Sequence, residues 1–221
     1  SFFGFDYTDN VNFEQSASYN WTSSGLGTKF LLVPGGSQTI LDGSFTYSGY
    51  EITQEELDQK PRRSGINGFN VNLNFNRFIG DLDKLKYGIE INGFSTDFEI
   101  YNSVNRRIQQ KENTSELSAF VNYLKNFNKK FLLETGLRMQ RYATLSETTL
   151  EPRIGMKYNL NTRWRLKGSA GLYSQNLMSA VSDRDVVNLF YGFLSGPTDL
   201  PEEFLGEPVE SKLQKARHAV F

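Results

Sequence analysis

The 221-residue chain contains no cysteine, which excludes a disulfide framework, a thiolate nucleophile and any sulfur-ligated metal. An oxidising compartment stays open, since exported proteins can avoid the residue. Histidine is nearly absent as well. The single imidazole, His218, has no second imidazole or thiol with which to complete a zinc site or a His-based triad, and reads as a solvated strand residue. Neither sign of charge is in excess: the formal net charge is −1, which gives no reason to invoke nucleic acid or an anionic membrane surface. Long apolar runs are missing too, and FLLV at 30–33 falls far short of the ~20 residues that a membrane helix needs. No basic segment followed by an apolar one marks a secretory signal.

What the chain does have is alternation. In FNVNLNFNRF (69–78), Phe69, Val71, Leu73 and Phe75 interleave with Asn70, Asn72, Asn74 and Asn76. Side chains alternate between faces in a strand, so this segment is a β-strand with one apolar face and one amide face, which a helix would scramble. Along 131–142, Leu133, Thr135, Leu137 and Met139 alternate with Glu134, Gly136, Arg138 and Gln140. Along 150–158, Leu150, Pro152, Ile154, Met156 and Tyr158 alternate with Glu151, Arg153, Gly155 and Lys157. Leu166 continues the apolar set. Two placements satisfy the pattern: the inside of a soluble sandwich, or the lipid-facing outside of a barrel with a wet, polar bore.

Strands are predicted near 1–8, 11–22, 37–52, 66–79, 84–101, 114–127, 130–143, 148–159, 163–176 and 208–221. Most exceed the usual ~5–6 residues and meet the ~9–11 that a tilted strand needs to cross hydrocarbon. GDLD (80–83), NFNKK (126–130) and NLNTR (159–163) read as tight turns, while 52–65, 102–113 and 179–207 read as long loops. Short turns at one rim and long loops at the other favour a membrane barrel; SETT (146–149) and the Gly/Pro-bearing stretch 23–36 break that rule. Trp21, Tyr47, Phe78, Phe98, Tyr123, Phe127, Tyr142, Tyr158 and Trp164 fall near predicted strand ends, as in aromatic girdles, although aromatics also enrich ordinary strands.

No catalytic set emerges, and neither a metal nor a cofactor is expected. GLGTKF (25–30) lacks the third glycine and following helix of a phosphate loop and reads as a turn. Glu202 and Glu203 follow Pro201 in a loop and read as solvated acids. Asn20-Trp21-Thr22 and Asn113-Thr114-Ser115 match the glycosylation pattern, which stays bare in a bacterial outer-membrane protein.

ENTSELSAFVNYL (112–124), LLETGLRMQRYATL (132–145), EPRIGMKYNLNTRWRLKGSAGLYSQN (151–176) and LQKARHAVF (213–221), with Trp21 to Tyr50 before them, resemble consecutive barrel strands of TonB-dependent outer-membrane receptors, especially those of Bacteroidetes. The resemblance implies an all-β, antiparallel transmembrane β-barrel of about 22 strands, of which residues 1–221 supply about ten. A plug domain lies outside this chain. Phe221 resembles an outer-membrane terminal aromatic, but Ala219, Arg217 and Lys215 before it make no lipid-facing stripe, so the chain is expected to stop mid-strand. The lipid-facing set is then Phe69, Val71, Leu73, Phe75, Leu133, Leu137, Met139, Ile154, Met156 and Leu166. The lumen-facing set is Asn70, Asn72, Asn74, Asn76, Glu134, Arg138, Gln140, Glu151, Arg153 and Lys157.

The implied function is nutrient uptake, of a siderophore, oligosaccharide or peptide, through a plugged barrel, with TonB and the inner-membrane energising proteins as partners and outer-membrane lipids around it. The alternative is a receptor-like barrel that serves as the structural scaffold of a multi-subunit outer-membrane complex; an enzyme on a soluble β-fold is disfavoured. Arg184, Asp185, Phe190, Tyr191 and Phe193 in the last long loop are the candidate ligand contacts, or else that loop packs over the barrel mouth as a lid. Arg62, Arg63, Arg106 and Arg107 are candidates to bridge lipopolysaccharide phosphates or to contact a surface lipoprotein.

Overall fold

A computed structural model describes the chain except residues 14, 15, 58, 81, 103, 129, 181–189, 191, 197–202, 205, 206, 209 and 210. Ten strands form one antiparallel sheet: β1 (Phe2–Phe13), β2 (Ala17–Leu32), β3 (Thr39–Glu56), β4 (Arg62–Ile79), β5 (Asp83–Tyr101), β6 (Arg107–Phe127), β7 (Phe131–Tyr142), β8 (Glu147–Asn159), β9 (Arg165–Gln175) and, after a long excursion, β14 (Gln214–Val220). The order is sequential, each strand pairing with the next. The excursion holds two small hairpins, β10 (Leu177–Ala180) with β11 (Gly192–Ser195), and β12 (Glu203–Phe204) with β13 (Glu207–Pro208). No helix occurs among the described residues.

Register sorts the sheet into two faces. Ser44, Asn72, Glu90, Ser118, Gln140 and Thr149 stand opposite one another across β3 to β8. Three residues nearer the turns, Leu41, Phe75, Tyr87, Val121, Leu137 and Pro152 do the same on the other side. The Phe75 and Tyr87 rings stack at 5.0 Å. Among the described residues nothing covers the apolar face: Leu137, Met139, Ile154, Met156 and Leu166 are 44–60% exposed. A contiguous exposed apolar band marks a face that meets lipid or another protein surface.

The polar face is concave. A single cavity of about 560 Å³ is lined from Phe5 on β1 through Asn70 on β4 to Gln140 on β7. In a flat sheet those strands would lie roughly 29 Å apart.

The structure corrects several expectations. GLGTKF is no turn; it lies inside β2. The Phe3 and Phe5 rings of β1 cover Gly27 and Gly25, filling the space a Cβ would occupy, and cross-strand aromatics of this kind keep a glycine in a strand. β1 therefore runs on to Phe13 and pairs with β2 from Ala17, where a reversal was expected near 9–10. The expected long loops at 52–65 and 102–113 shrink to 57–61 and 102–106 because β3, β4 and β6 run on beyond their expected ends, while β5 stops at Tyr101 as expected. Asymmetry between the rims lies in this strand overhang and in the β9–β14 excursion, not in loop length generally. Of the aromatics assigned to girdles, Trp21 and Phe98 pack on the concave side against the Tyr19, Ile52 and Phe190 cluster, Tyr142 is buried there, and Phe78 meets Lys84 on the same face.

Asn128 (φ 53°) and Gly80 (φ 61°) supply the left-handed conformations of the short turns. Beside the second of these turns, outside the apolar band, the Asp83 carboxylate accepts from Lys125 Nζ (2.7 Å), the Asn126 N–H (3.0 Å) and Tyr123 O–H (2.8 Å). These bonds, the lysine's first, hold its pKa down to about 2. The carboxyl group is thus depressed relative to its unfolded value, so its contribution is complete above 3.8 and is lost as the pH falls toward 2. Lys125→Met is expected to move the Asp83 midpoint up toward 3.8, as read by carboxyl ¹³C NMR; an unmoved midpoint would remove the lysine from the account.

Candidate functional site

The amides of β4 form a ladder along the concave face. Asn76 and Asn74 donate to the two oxygens of Asp42 (2.9 and 2.8 Å), Asn74 also to Asn72 Oδ1 (3.2 Å), and Asn72 to Ser44 Oγ (2.6 Å) and Asn70 Oδ1 (3.1 Å). Asn70 in turn donates to Glu90 (2.9 Å) and Asn92 (2.5 Å). The wall continues with Arg138, which pairs with Glu90 (3.0 Å) and donates to Gln140 (3.1 Å). Gln140 donates to Glu116 (3.1 Å), and Arg153 pairs with Glu151 (2.8 Å). Glu134 and Lys157 occupy the same face by register. Such a surface offers hydrogen bonds of both senses, and among the described residues it holds no nucleophile–base pair.

Above this wall the β9–β14 excursion turns inward. β11 packs against β4, β5 and β6. Ser195 Oγ lies 3.1 Å from Thr96 Oγ1 and accepts from Thr114 Oγ1 (3.3 Å). Asn176 donates to Thr114 (3.3 Å) and accepts from the Gly196 N–H (3.0 Å). Gly196 leaves no room for a Cβ, which would meet Asn176 Oδ1 at 2.5 Å. The Phe193 N–H donates to Ser64 Oγ (3.0 Å), and its ring sits edge-on to Tyr50 at 5.7 Å. Phe190, 5% exposed, packs with Tyr19 and Ile52, its ring 6.4 Å from that of Phe98 and beneath the Arg62 guanidinium. Farther along, Glu147 accepts from Ser211 (2.8 Å) and from the Lys212 N–H (2.7 Å), leading the chain into β14 over the buried Tyr142, Leu145 and Leu213. The cavity lies beneath this hairpin.

Of the loop residues expected to contact a ligand, Phe190, just before β11, and Phe193, on it, are packed inward against the sheet; Arg184, Asp185 and Tyr191 lie outside the described residues, as does Glu202. Three of the four arginines assigned to lipopolysaccharide or a lipoprotein already have acids within the chain: Arg62 with Glu56 (2.6 Å), Arg63 with Glu51 (2.5 Å) and Arg107 with Glu99 (2.7 Å). The last pair stands beyond the apolar band, and Arg107 holds the Glu99 carboxyl below its usual range. His218 meets only the edge of the Tyr173 ring, at 5.2 Å, among the described contacts.

No protein-family model and no curated protein matches the chain. Solved structures do. A chain of the RagAB peptide transporter is 12% identical, covers 92% of this chain and 28% of its own length, and superposes with a TM-score of 0.54. A chain of the RagAB peptide importer in its "open-open" state is 12% identical, with coverage of 90% and 27% and a TM-score of 0.50. At this identity the likeness is one of fold. This chain therefore shares the fold of a stretch of those chains and spans under a third of their length.

Sequence reasoning missed the buried polar cluster of Ser64, Thr96, Thr114, Asn176 and Ser195. Small hydroxyls and a lone amide produce no period and no motif, and their partner strand, β11, is too short to alternate visibly. The one available signal was the near absence of charge from Phe190 to Thr198.

Proposed function

We propose that this chain is part of the wall of an outer-membrane nutrient transporter, a TonB-energised receptor of the type found in Bacteroidetes. The apolar face meets lipid, and a solute, be it a siderophore, an oligosaccharide or a peptide, moves along the concave amide face. The β10–β11 hairpin roofs the cavity in which the solute is first held. One observation carries the reading: ten long strands keep a wide apolar face uncovered on one side and a hydrogen-bonded polar face on the other, the arrangement that a wet-bored barrel requires. The peptide named for the RagAB structures favours that class among the three. Other subunits accompany the barrel, and no residue of this chain performs covalent chemistry.

The test is uptake. Cells lacking the full-length protein are expected to lose import of one labelled nutrient of these classes, and inactivation of the energising system should reproduce the loss. Normal uptake, combined with loss of a surface complex from the outer membrane, would replace transport with scaffolding.

A further inference from the structure

On the concave face, nearer the turns than the hairpin, a second pocket of about 300 Å³ is lined by Lys86, Arg138, Arg153, Glu90, Phe120 and Asn122 among others. Lys86 stands between two amides, Asn76 on β4 and Asn122 on β6. Its Nζ lies 5.6 Å from the centroid of the Phe120 ring, and no acid bonds it among the described residues. Arg138 and Arg153 are paired with Glu90 and Glu151. The lining therefore holds three cations and one carboxylate, Glu90; Glu151 reaches Arg153 from outside the lining, Asp42 is bonded to Asn74 and Asn76 and Glu116 to Gln140, and the half-buried Lys86 is the lining cation that no acid bonds. A second observation points the same way: farther toward the turns, Lys157 and Lys167 are placed directly opposite each other across β8 and β9, with Glu134 lining the same hollow. Like charges directly opposite in a sheet are destabilising unless something offsets them.

We propose that this pocket is an oxyanion site, taking a carboxylate or phosphate group carried by the transported solute. Lys86 supplies a point charge. The guanidinium N–H groups of Arg138 and Arg153 that are not engaged by their own acids supply directed donors, and Asn122 supplies an amide. The Phe120 ring offers apolar contact to the carbons behind the charged group. A cationic or wholly apolar ligand would meet the wrong surface: the one carboxylate in the lining, Glu90, is already bonded to arginine, and three cations line the same pocket. The proposal rests on the import reading, which brings a solute along this face.

The experiment is calorimetric titration of the full-length protein in detergent micelles at low ionic strength, with pyrophosphate, citrate and glucose as probes. Pyrophosphate, citrate or both bind saturably and glucose does not; their order tells phosphate from carboxylate recognition. Lys86→Gln weakens the binding at least tenfold, and Lys29→Gln, on the same face but outside the pocket, leaves it unchanged. Absence of saturable binding by either anion, or a Lys86→Gln variant that binds as the parent does, overturns the site. Because binding is read in micelles and import in cells, either can fail while the other stands.

Discussion

Leu137→Arg is expected to abolish accumulation of the protein in the outer membrane, and Val71→Arg to do the same, whereas Asn72→Arg is tolerated. Leu137 stands in the middle of the exposed apolar row, 44% exposed, between Val121 and Pro152. An arginine on the lipid face of a barrel strand costs about 2–4 kcal/mol at mid-depth, a large fraction of the ~5–15 kcal/mol that keeps a typical protein folded. Asn72 is one residue beyond Val71 but on the opposite face, where its amide donates to Ser44 and Asn70. An arginine there extends into water and finds Glu90 directly opposite in register, so the loss is confined to three hydrogen bonds, the two it donates and the one it accepts from Asn74, on a face where water and Glu90 replace them, each worth about 1 kcal/mol net. Heat-modifiable mobility of the outer-membrane fraction reads the difference. Should Asn72→Arg be the damaging change, the faces are exchanged and the sheet belongs to a water-soluble protein with its aliphatic residues inside.

The second large effect concerns the hairpin. Phe190→Ala removes the one described aromatic of the excursion that is buried against Tyr19 and Ile52, and truncations of this kind cost about 3–5 kcal/mol. The loss falls on docking of the excursion, because β2 and β3 remain paired to each other without it. Amide exchange at Phe193, whose N–H is otherwise held by Ser64, is expected to accelerate by at least about a hundredfold, with the β4–β5 ladder unaffected. If exchange at Phe193 does not change, the hydroxyl contacts of Ser195 and the Asn176 bonds hold the hairpin by themselves, and the ring is only a space filler.

How much of this could be read from the sequence depended on what each segment needed from its neighbours. The strand from Arg62 to Ile79 declares its two faces through four asparagines alternating with apolar residues, because a face that meets a uniform medium imposes a strict period. β2 does not declare itself. Its Gly25 and Gly27 look like a reversal until β1 lays two phenylalanine rings across them, so the information sits on another strand. The upper ends of β3, β4 and β6 (53–56, 62–65 and 107–113) read as loops because their outward residues form no apolar stripe: Thr53, Glu55, Arg63, Arg107, Gln109 and Lys111 are polar or charged. Pairing across strands, Arg63 with Glu51 and Gln109 with Asp97 (3.0 Å), keeps the ladder going where hydrophobic pattern has ended. The roof over the cavity was legible only as one of two possibilities, since its contacts join residues as distant as Ser64 and Phe193.

The continuation of β5 from Ile91, near the edge of the apolar band, to Tyr101 has a geometric result. Ten residues of tilted strand rise roughly 25 Å, so the proposed entrance is a turret standing clear of the bilayer surface. Its outer wall of paired ions would be immersed among the sugar chains of the cell envelope, and a solute would be captured at a height that lipid headgroups do not reach.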